Sequence, residues 1–419
     1  MNKKESIILL NNIKTTKIVY DNGFVIFSNY EPKVSYFTAH FVSKFGGFND
    51  SLVYNQEIIK IYPGTAHMME HLMYKDTQGK DVMLEIEKLG AYEDNAYTSD
   101  KNTIFYFQTR KNKYLLLRKL LEMTFSFNVN DSILENEKQI VLEELAEDEA
   151  DLESKIDDIL YDNMFFYSSI KNTVIGKKED IIKMTSQYLK NIYNIVYSPS
   201  NTYLVLGGNY DLNKCLSVID DFMDSSVCSF DYLFQDEPLS YVKTSDEYKL
   251  KASISLVNVS YKIVSDKFSF LDLTHISLLF ELLFSSSSKN YYYCINNNLC
   301  SGINLYSEYC HNVTCVIING SSLNPIKLID FIKNAVQNTN IYEYEKYFDN
   351  MRKGYIGSTI KSALSTPSKY AEFLADMLTE GEETADLLEM LKKISFSEIV
   401  RWYKIISSLE SCSIYTIID

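Results

Sequence analysis

Positive charge is what this sequence is short of, and the shortage bears first on partners. Against 56 aspartates and glutamates stand 41 lysines and arginines, a formal net charge of −15. That balance argues against nucleic acid or an anionic membrane as a main partner, since both are held through clustered cations. The acidity serves solubility, and lining a cavity it would favour cationic peptides. A long hydrophobic run is missing as well. The opening MNKKESIILLNN has an apolar run of only four residues, too short for a signal-peptide core, and no later stretch reads as long and apolar enough to span a bilayer. Cysteine is absent from the first half: all seven (Cys215, Cys228, Cys294, Cys300, Cys310, Cys315, Cys412) lie in the second, with no Cys-x-x-Cys. Without an export signal they read as reduced thiols, not as a disulfide framework or a zinc knuckle, and a cytoplasmic location is expected. Gly207-Gly208 follows a strand without a Gly-x-Gly-x-x-Gly or Walker pattern, so nucleotide binding has no support. With 419 residues, 46% of them hydrophobic, the chain has room for two to three globular domains.

Histidine is scarce, with five in the chain, yet two stand together in Gly64-Thr65-Ala66-His67-Met68-Met69-Glu70-His71-Leu72. His-x-x-Glu-His puts two imidazoles four residues apart on one helix face with a carboxylate between them. It is the inverted form of the His-Glu-x-x-His zinc-peptidase motif. Pro63-Gly64 ahead of Thr65 predicts a helix start with Thr65 as cap. So short a motif also arises by accident on a surface helix, and a third ligand decides the matter. The other histidines offer none. His40 lies inside an alternating strand, His275 in an apolar helical run, and His311 beside Cys310 without a second metal-spaced pair. Tyr291-Tyr292-Tyr293 reads as a packed or interface stripe.

Residues 17–45 alternate in strand fashion, 81–90 read as a helix, Asn95-Ala96-Tyr97-Thr98 as a turn, 103–108 as a strand and 113–123 as a helix with a leucine face. Ser132-Ile133-Leu134-Glu135 has capping-box spacing and opens a further helix. Its core-facing series would run Glu137, Ile140, Val141, Glu144, Leu145, so two carboxylates share a face with aliphatic side chains. Buried carboxylates are paired, hydrogen-bonded or metal-bound; the alternative is an acidic solvated helix, since Glu143, Glu147, Asp148 and Glu149 surround them. The chain also looks duplicated. YLKNIYNIVYSPSNTYLVL, from Tyr188, and EIVRWYKIISSLESCSIYTI, from Glu398, share a helix, polar break and strand layout. Each would close a domain, residues 1–225 and 226–419, with the linker within 224–245.

Together these features resemble the insulinase/pitrilysin family of inverzincin metallopeptidases, especially its short two-domain bacterial members. GTAHMMEHLMYKDT is similar to the family's zinc-helix signature, and Asn95-Ala96-Tyr97-Thr98 to its substrate-binding edge strand. Glu137 and Glu144 match its paired glutamates, the second being the distal zinc ligand. YSPSNTYLVLGGNYD looks like the end of a family domain, and in the second half Arg352-Lys353-Gly354-Tyr355-Ile356-Gly357 is a weaker likeness. The resemblance implies an α+β fold: two homologous domains, each a mainly antiparallel sheet with helices on one side, the first catalytic and the second not. It also implies a closed chamber that a two-domain chain completes only with a second chain. The Arg and Tyr that the family often places in its C-terminal half fall on Cys294 and Ser301 here. That departure points to a heterodimer whose homologous subunit supplies the pair.

On this reading His67, His71 and Glu144 hold one Zn2+ per chain, in a shell that keeps one position for water and makes hydroxide available near neutral pH. Glu70 takes the water's proton and passes it to the leaving amine. Glu137 orients a ligand or the water. Substrate adds as a strand along Asn95, Ala96, Tyr97 and Thr98, although Tyr97 fits ordinary packing equally well. The expected activity is a zinc metalloendopeptidase acting on small or unfolded peptides, either degrading them or trimming a leader from a ribosomally made peptide such as a bacteriocin. The rival from another class is a catalytically idle structural or peptide-binding subunit.

Overall fold

A computed structural model describes residues 1–10, 13–249, 254–379 and 387–418. The chain divides into two compact units, and neither is a continuous half. Unit 1 comprises Met1–Asp151, Asn172–Phe234 and Ile360–Leu387; unit 2 comprises Leu152–Lys171, Gln235–Thr359 and Leu388–Asp419. The partition thus differs from a single cut at 225, because each unit takes a segment from the other's stretch of sequence.

Unit 1 contains β1 (Lys3–Leu10), β2 (Ile13–Tyr20), β3 (Val25–Tyr30), β4 (Phe37–Ser43), β5 (Ser51–Tyr54), β6 (Glu57–Lys60), β7 (Ala91–Thr98), β8 (Thr103–Thr109), β9 (Thr202–Gly208) and β10 (Asp231–Tyr232). Its main sheet runs β1-β2-β3-β9-β4-β8-β7, with β10-β5-β6 as a small second sheet. Only the β3–β9 pairing in the main sheet is parallel; the others are antiparallel. β4, buried along its whole length, carries Phe37, Ala39 and Phe41 on one face, inside the main apolar cluster with Leu116, Leu117, Leu120 and Leu121. Val42 points the other way and packs with Phe27, Ile104 and Tyr203 under Tyr370, Ala371, Leu374 and Leu378 of the helix Pro367–Thr379. A second face of this sheet is therefore helix-covered too. His40 is structural, as expected: its Nε2 lies 3.0 Å from the Thr38 hydroxyl, its ring stacks on Tyr106, and burial holds its pKa down to about 3.

Unit 2 contains β11 (Ser245–Lys249), β12 (Ser255–Val264), β13 (Asn304–Cys310), β14 (Val313–Ser322) and β15 (Ser413–Ile418), ordered β11-β15-β12-β14-β13. This repeats β3-β9-β4-β8-β7 strand for strand, with the one parallel pair in the same place. The duplicated helix–strand layout is real: helices Ser186–Val196 and Phe396–Ser407 lead into β9 and β15. One expectation needs correcting. The stretch Phe270–Asn296 is long and apolar enough to cross a membrane, and half of its most apolar part is buried within the fold. It is broken at the extended residues Ser285 and Ser288 into helices Phe270–Phe284 and Lys289–Asn296, the first buried at Ile276, Leu278, Leu279 and Leu282. His275 belongs to that core helix and accepts from the Ser395 backbone N–H through Nε2 at 3.2 Å.

Candidate metal centre

The helix Thr65–Met73 begins where two chain segments touch. Gly64 adopts φ +86°, and a Cβ there would lie 2.3 Å from the Ile175 carbonyl oxygen. Gly176, at φ +89°, has no more room, its Cβ falling 2.4 Å from the Pro63 oxygen. Only glycine meets both demands cheaply. Gly64, not Thr65, is the N-cap, and no side chain caps this helix. Thr65 instead donates from Oγ1 to the Tyr62 carbonyl at 2.6 Å.

The second element is the helix Asp131–Asp148, which packs against the first. Its N-cap is Asn130, whose side chain accepts from the Ile133 N–H at 3.0 Å; the expected capping box at Ser132 does not form. Leu134, Glu137, Lys138, Val141 and Leu145 are buried, while Ile140 faces solvent, so the core-facing stripe is narrower than the periodicity predicts.

The two helices bring three donor atoms together. The Nε2 atoms of His67 and His71 are 3.3 Å apart. Glu144 Oε2 lies 3.8 Å from the first and 3.5 Å from the second. Bonds of about 2.0–2.1 Å in a tetrahedral shell space the donors roughly 3.3–3.4 Å apart, so two nitrogens and one oxygen already stand close to what a zinc ion requires. Among the described residues this group alone of His, Cys, Asp and Glu converges in this way. Burial, helped by the neighbouring His71 charge, holds His67 down to about 4 and keeps its lone pair free. For His71 burial pulls the same way, but Glu137, Glu144 and Glu70 outweigh it and raise its pKa.

Glu137 reaches the far side of the same ring: its Oε2 is 3.5 Å from His71 Nδ1, and its Oε1 is 3.3 Å from Lys75 Nζ. Burial would raise its carboxyl, but the hydrogen bonds from His71 and Lys75 hold it below the usual range. Glu70 is buried, and desolvation raises its pKa against the pull of a 2.6 Å hydrogen bond donated by Thr98 Oγ1 to Oε2.

Asn95 to Thr98 form the end of a strand, not a turn. β7 is the outermost strand of its sheet, with its inner side paired to β8 and a bulge between Tyr92 and Asn95. Its side chains alternate about the sheet. Ala96 enters the main apolar cluster and Thr98 reaches Glu70, whereas Tyr97 packs on the opposite face with Tyr106. Tyr97 is thus a packing residue, and Asn95 is exposed. The sequence reading missed Lys75 and the Thr98 hydroxyl. Lys75 stands four residues beyond His71, a spacing that could have flagged it; Thr98 depends on strand alternation that the turn reading hid. In unit 2, Cys294 is buried in a helix and Ser301 is exposed just before β13.

Comparison with known proteins agrees with this geometry. Residues 59–178, spanning the motif helix and both glutamates, match the family model Insulinase (Peptidase family M16). The mitochondrial-processing peptidase subunit beta of Neurospora crassa is 28% identical over 218 residues, 50% of this chain and 43% of that protein. The chain therefore spans less than half the length of that curated relative. The Bacillus subtilis protein named uncharacterized zinc protease YmfH is 22% identical over 378 residues, 86% of each chain. A crystal structure of a putative M16-like peptidase from Alicyclobacillus acidocaldarius superposes with a TM-score of 0.87 at 19% identity, covering 97% of this chain and 98% of that one. Within residues 59–178 the chain is thus similar to the insulinase family of peptidases, and its α+β fold is that of the solved M16-like structure.

Proposed function

We propose that this chain is a zinc metalloendopeptidase that hydrolyses small or unfolded peptides. The observation that carries the reading is the convergence of His67 Nε2, His71 Nε2 and Glu144 Oε2 at near-tetrahedral spacing, with the Glu70 carboxylate on the same helix. Zinc held there supplies Lewis-acid activation of water and of the scissile carbonyl. The chain's own residues do the rest. Glu70, its carboxylate fixed by Thr98, accepts the proton released as water adds to the carbonyl and gives it to the departing amine, so that one water is consumed for each peptide bond broken. Glu137, anchored by Lys75, holds the His71 ring with Nε2 turned inward, which makes it a positioning residue. The outer edge of β7 offers unpaired backbone groups to which an extended peptide can add as a strand, giving affinity with little sequence preference.

A homologous second subunit completes the substrate-binding surface in this reading, because Cys294 and Ser301 stand where an arginine and a tyrosine would hold the peptide. Leader removal from a ribosomally made peptide and general peptide degradation use the same chemistry; product masses from a precursor peptide separate them. The central test uses the chain together with its homologous subunit and an unstructured peptide. Glu70→Gln should keep one zinc per chain by native mass spectrometry and lose about 10²–10⁴-fold in cleavage rate. Undiminished cleavage by the variant, or no metal on the wild-type chain, would end the proposal.

A further inference from the structure

Three aromatic rings at the end of the helix Ser186–Val196 form one stack in unit 1. Tyr197, which closes the helix, lies 5.1 Å from Tyr193, and Tyr193 lies 4.8 Å from Phe127, each pair nearly parallel. The Tyr193 hydroxyl is matched, donating to the Thr124 carbonyl at 2.9 Å. The Tyr197 hydroxyl is not: the residue is 3% exposed and its oxygen has no hydrogen-bond partner. A phenylalanine would fill the same stack without that cost, and a buried polar group left unmatched is uncommon. The hydroxyl calls for a reason outside the packing.

The polar side chains around it supply one. The Tyr197 hydroxyl lies against Thr103, with the Glu70 carboxylate beyond. Thr103 Oγ1 gives its proton to the Phe45 carbonyl at 2.9 Å and stands 3.4 Å from Thr98 Oγ1. Thr98 gives its own proton to Glu70 Oε2 at 2.6 Å. A hydroxyl has one proton and two lone pairs, so the Thr103 oxygen is still open as an acceptor, and two neighbours can turn a proton toward it. When Thr98 does so, Glu70 loses the bond that fixes it. When Tyr197 does so, Thr103 becomes a poorer acceptor for a second proton, because hydrogen bonds in a chain polarise one another. The Thr98 proton then stays on Glu70.

We propose that Tyr197 is a positioning residue for Glu70, its hydroxyl given to Thr103 so that Thr98 keeps donating to the carboxylate. Only the kinetic consequence rests on the function proposed above; the hydroxyl chain is a property of the folded unit. The Thr98 backbone N–H also bonds to Glu70, so losing the Tyr197 hydroxyl loosens the carboxylate without freeing it.

The test compares Tyr197→Phe, Thr103→Val, the two together, and Thr103→Ser, which keeps the hydroxyl. The first measurement is NMR of the full-length chain carrying 13C-labelled threonine methyls, with and without zinc. The Thr98 methyl resonance, assigned by its loss in Thr98→Ser, should move in Tyr197→Phe and stay in place in Thr103→Ser. Once residue 103 is valine, Tyr197→Phe should move it no further. The second measurement is cleavage of an unstructured peptide by the chain with its homologous subunit. There Tyr197→Phe should lower kcat by about three- to tenfold, the worth of one neutral hydrogen bond, with KM, zinc stoichiometry and the urea midpoint unchanged. A role in packing alone would lower the urea midpoint and leave kcat as it was. A Thr98 resonance indifferent to Tyr197→Phe, an equal movement in the Thr103→Val background, or an unchanged kcat in an active pair would each overturn the proposal. The resonance is read whether or not the chain cleaves, so an inactive chain whose Thr98 signal follows Tyr197 sinks only the peptidase reading. An active chain whose signal does not follow it sinks only this one.

Discussion

Two cross-strand rows show how one strand order serves two ends. In unit 1 the row through Tyr203 runs Val25, Tyr203, Val42, Ile104, Tyr97. In unit 2 the comparable row through Tyr415 runs Asp246, Tyr415, Asn258, Asn319, Asn304. The first is apolar and sealed by the helix Pro367–Thr379, with the Tyr203 hydroxyl hydrogen-bonded to Thr379 at 2.8 Å. The second is polar, its Tyr415 hydroxyl has no partner, and the helix Leu152–Met164 above it leaves a cavity. Backbone topology fixes where a second helical layer goes, and side-chain polarity decides whether that layer closes a core or roofs a pocket. In unit 1 the candidate metal site lies on the other face, where the motif helix packs.

The sharpest way to break this contrast is at the polar anchor of unit 2. Lys262 and Glu237 are fully buried and 2.9 Å apart. Glu237 also accepts backbone N–H bonds from Phe166, Tyr167 and Ser168 at 2.8–2.9 Å, while Lys262 donates to the Met164 carbonyl at 2.7 Å. Glu237→Gln strands the lysine's charge and should cost about 3–5 kcal/mol, measured by urea unfolding; a loss below about 1 kcal/mol would show that the pair is not what holds this face. Burial alone would raise the Glu237 carboxyl, but Lys262 and the three N–H groups outweigh it and hold its pKa below the ordinary value. Its contribution is therefore complete above the unfolded glutamate value of about 4.3 and is lost as pH falls through the lower folded one. The variant should lack that acid limb.

On the opposite face of unit 1, Glu137→Gln should weaken zinc about 10–100-fold in competition with a chelator while leaving the fold unchanged. Unaltered affinity would reduce Glu137 to a partner of Lys75 alone. The smallest effects test the rows themselves. Val42→Asn should destabilise by about 1–3 kcal/mol, since an amide there meets no partner, whereas Asn258→Val should be close to neutral, because it removes an acceptor already unmatched. Equal costs at the two positions would erase the distinction drawn between the sheets.

Much of the metal centre was legible because its determinants are local. Residues four apart on one helix meet whatever the rest of the chain does, so His67 and His71 stood out by spacing, while Glu137 and Glu144, seven apart on another helix, took their roles from the family resemblance. β7 was harder. A bulge between Tyr92 and Asn95 and a positive φ at Glu93 interrupt its alternation, so polar residues of an edge strand read as a turn. That hid which of Tyr97 and Thr98 faces Glu70. β1 escaped notice because an edge strand rich in lysine looks like a tail. The exchange of helical segments between the units could not be read at all, since an amphipathic pattern shows that a helix has an apolar face but not which sheet receives it.

That exchange sets an order on synthesis. The helix covering Phe27, Val42, Ile104 and Tyr203 lies at 367–379, far downstream of the strands it protects. On the ribosome, a chain that has passed residue 208 holds every strand of the main sheet of unit 1 and still exposes that face to water until most of the second unit has been made. Through that interval one apolar face of the sheet stays uncovered, although His67, His71 and Glu144 on its other side have long been translated.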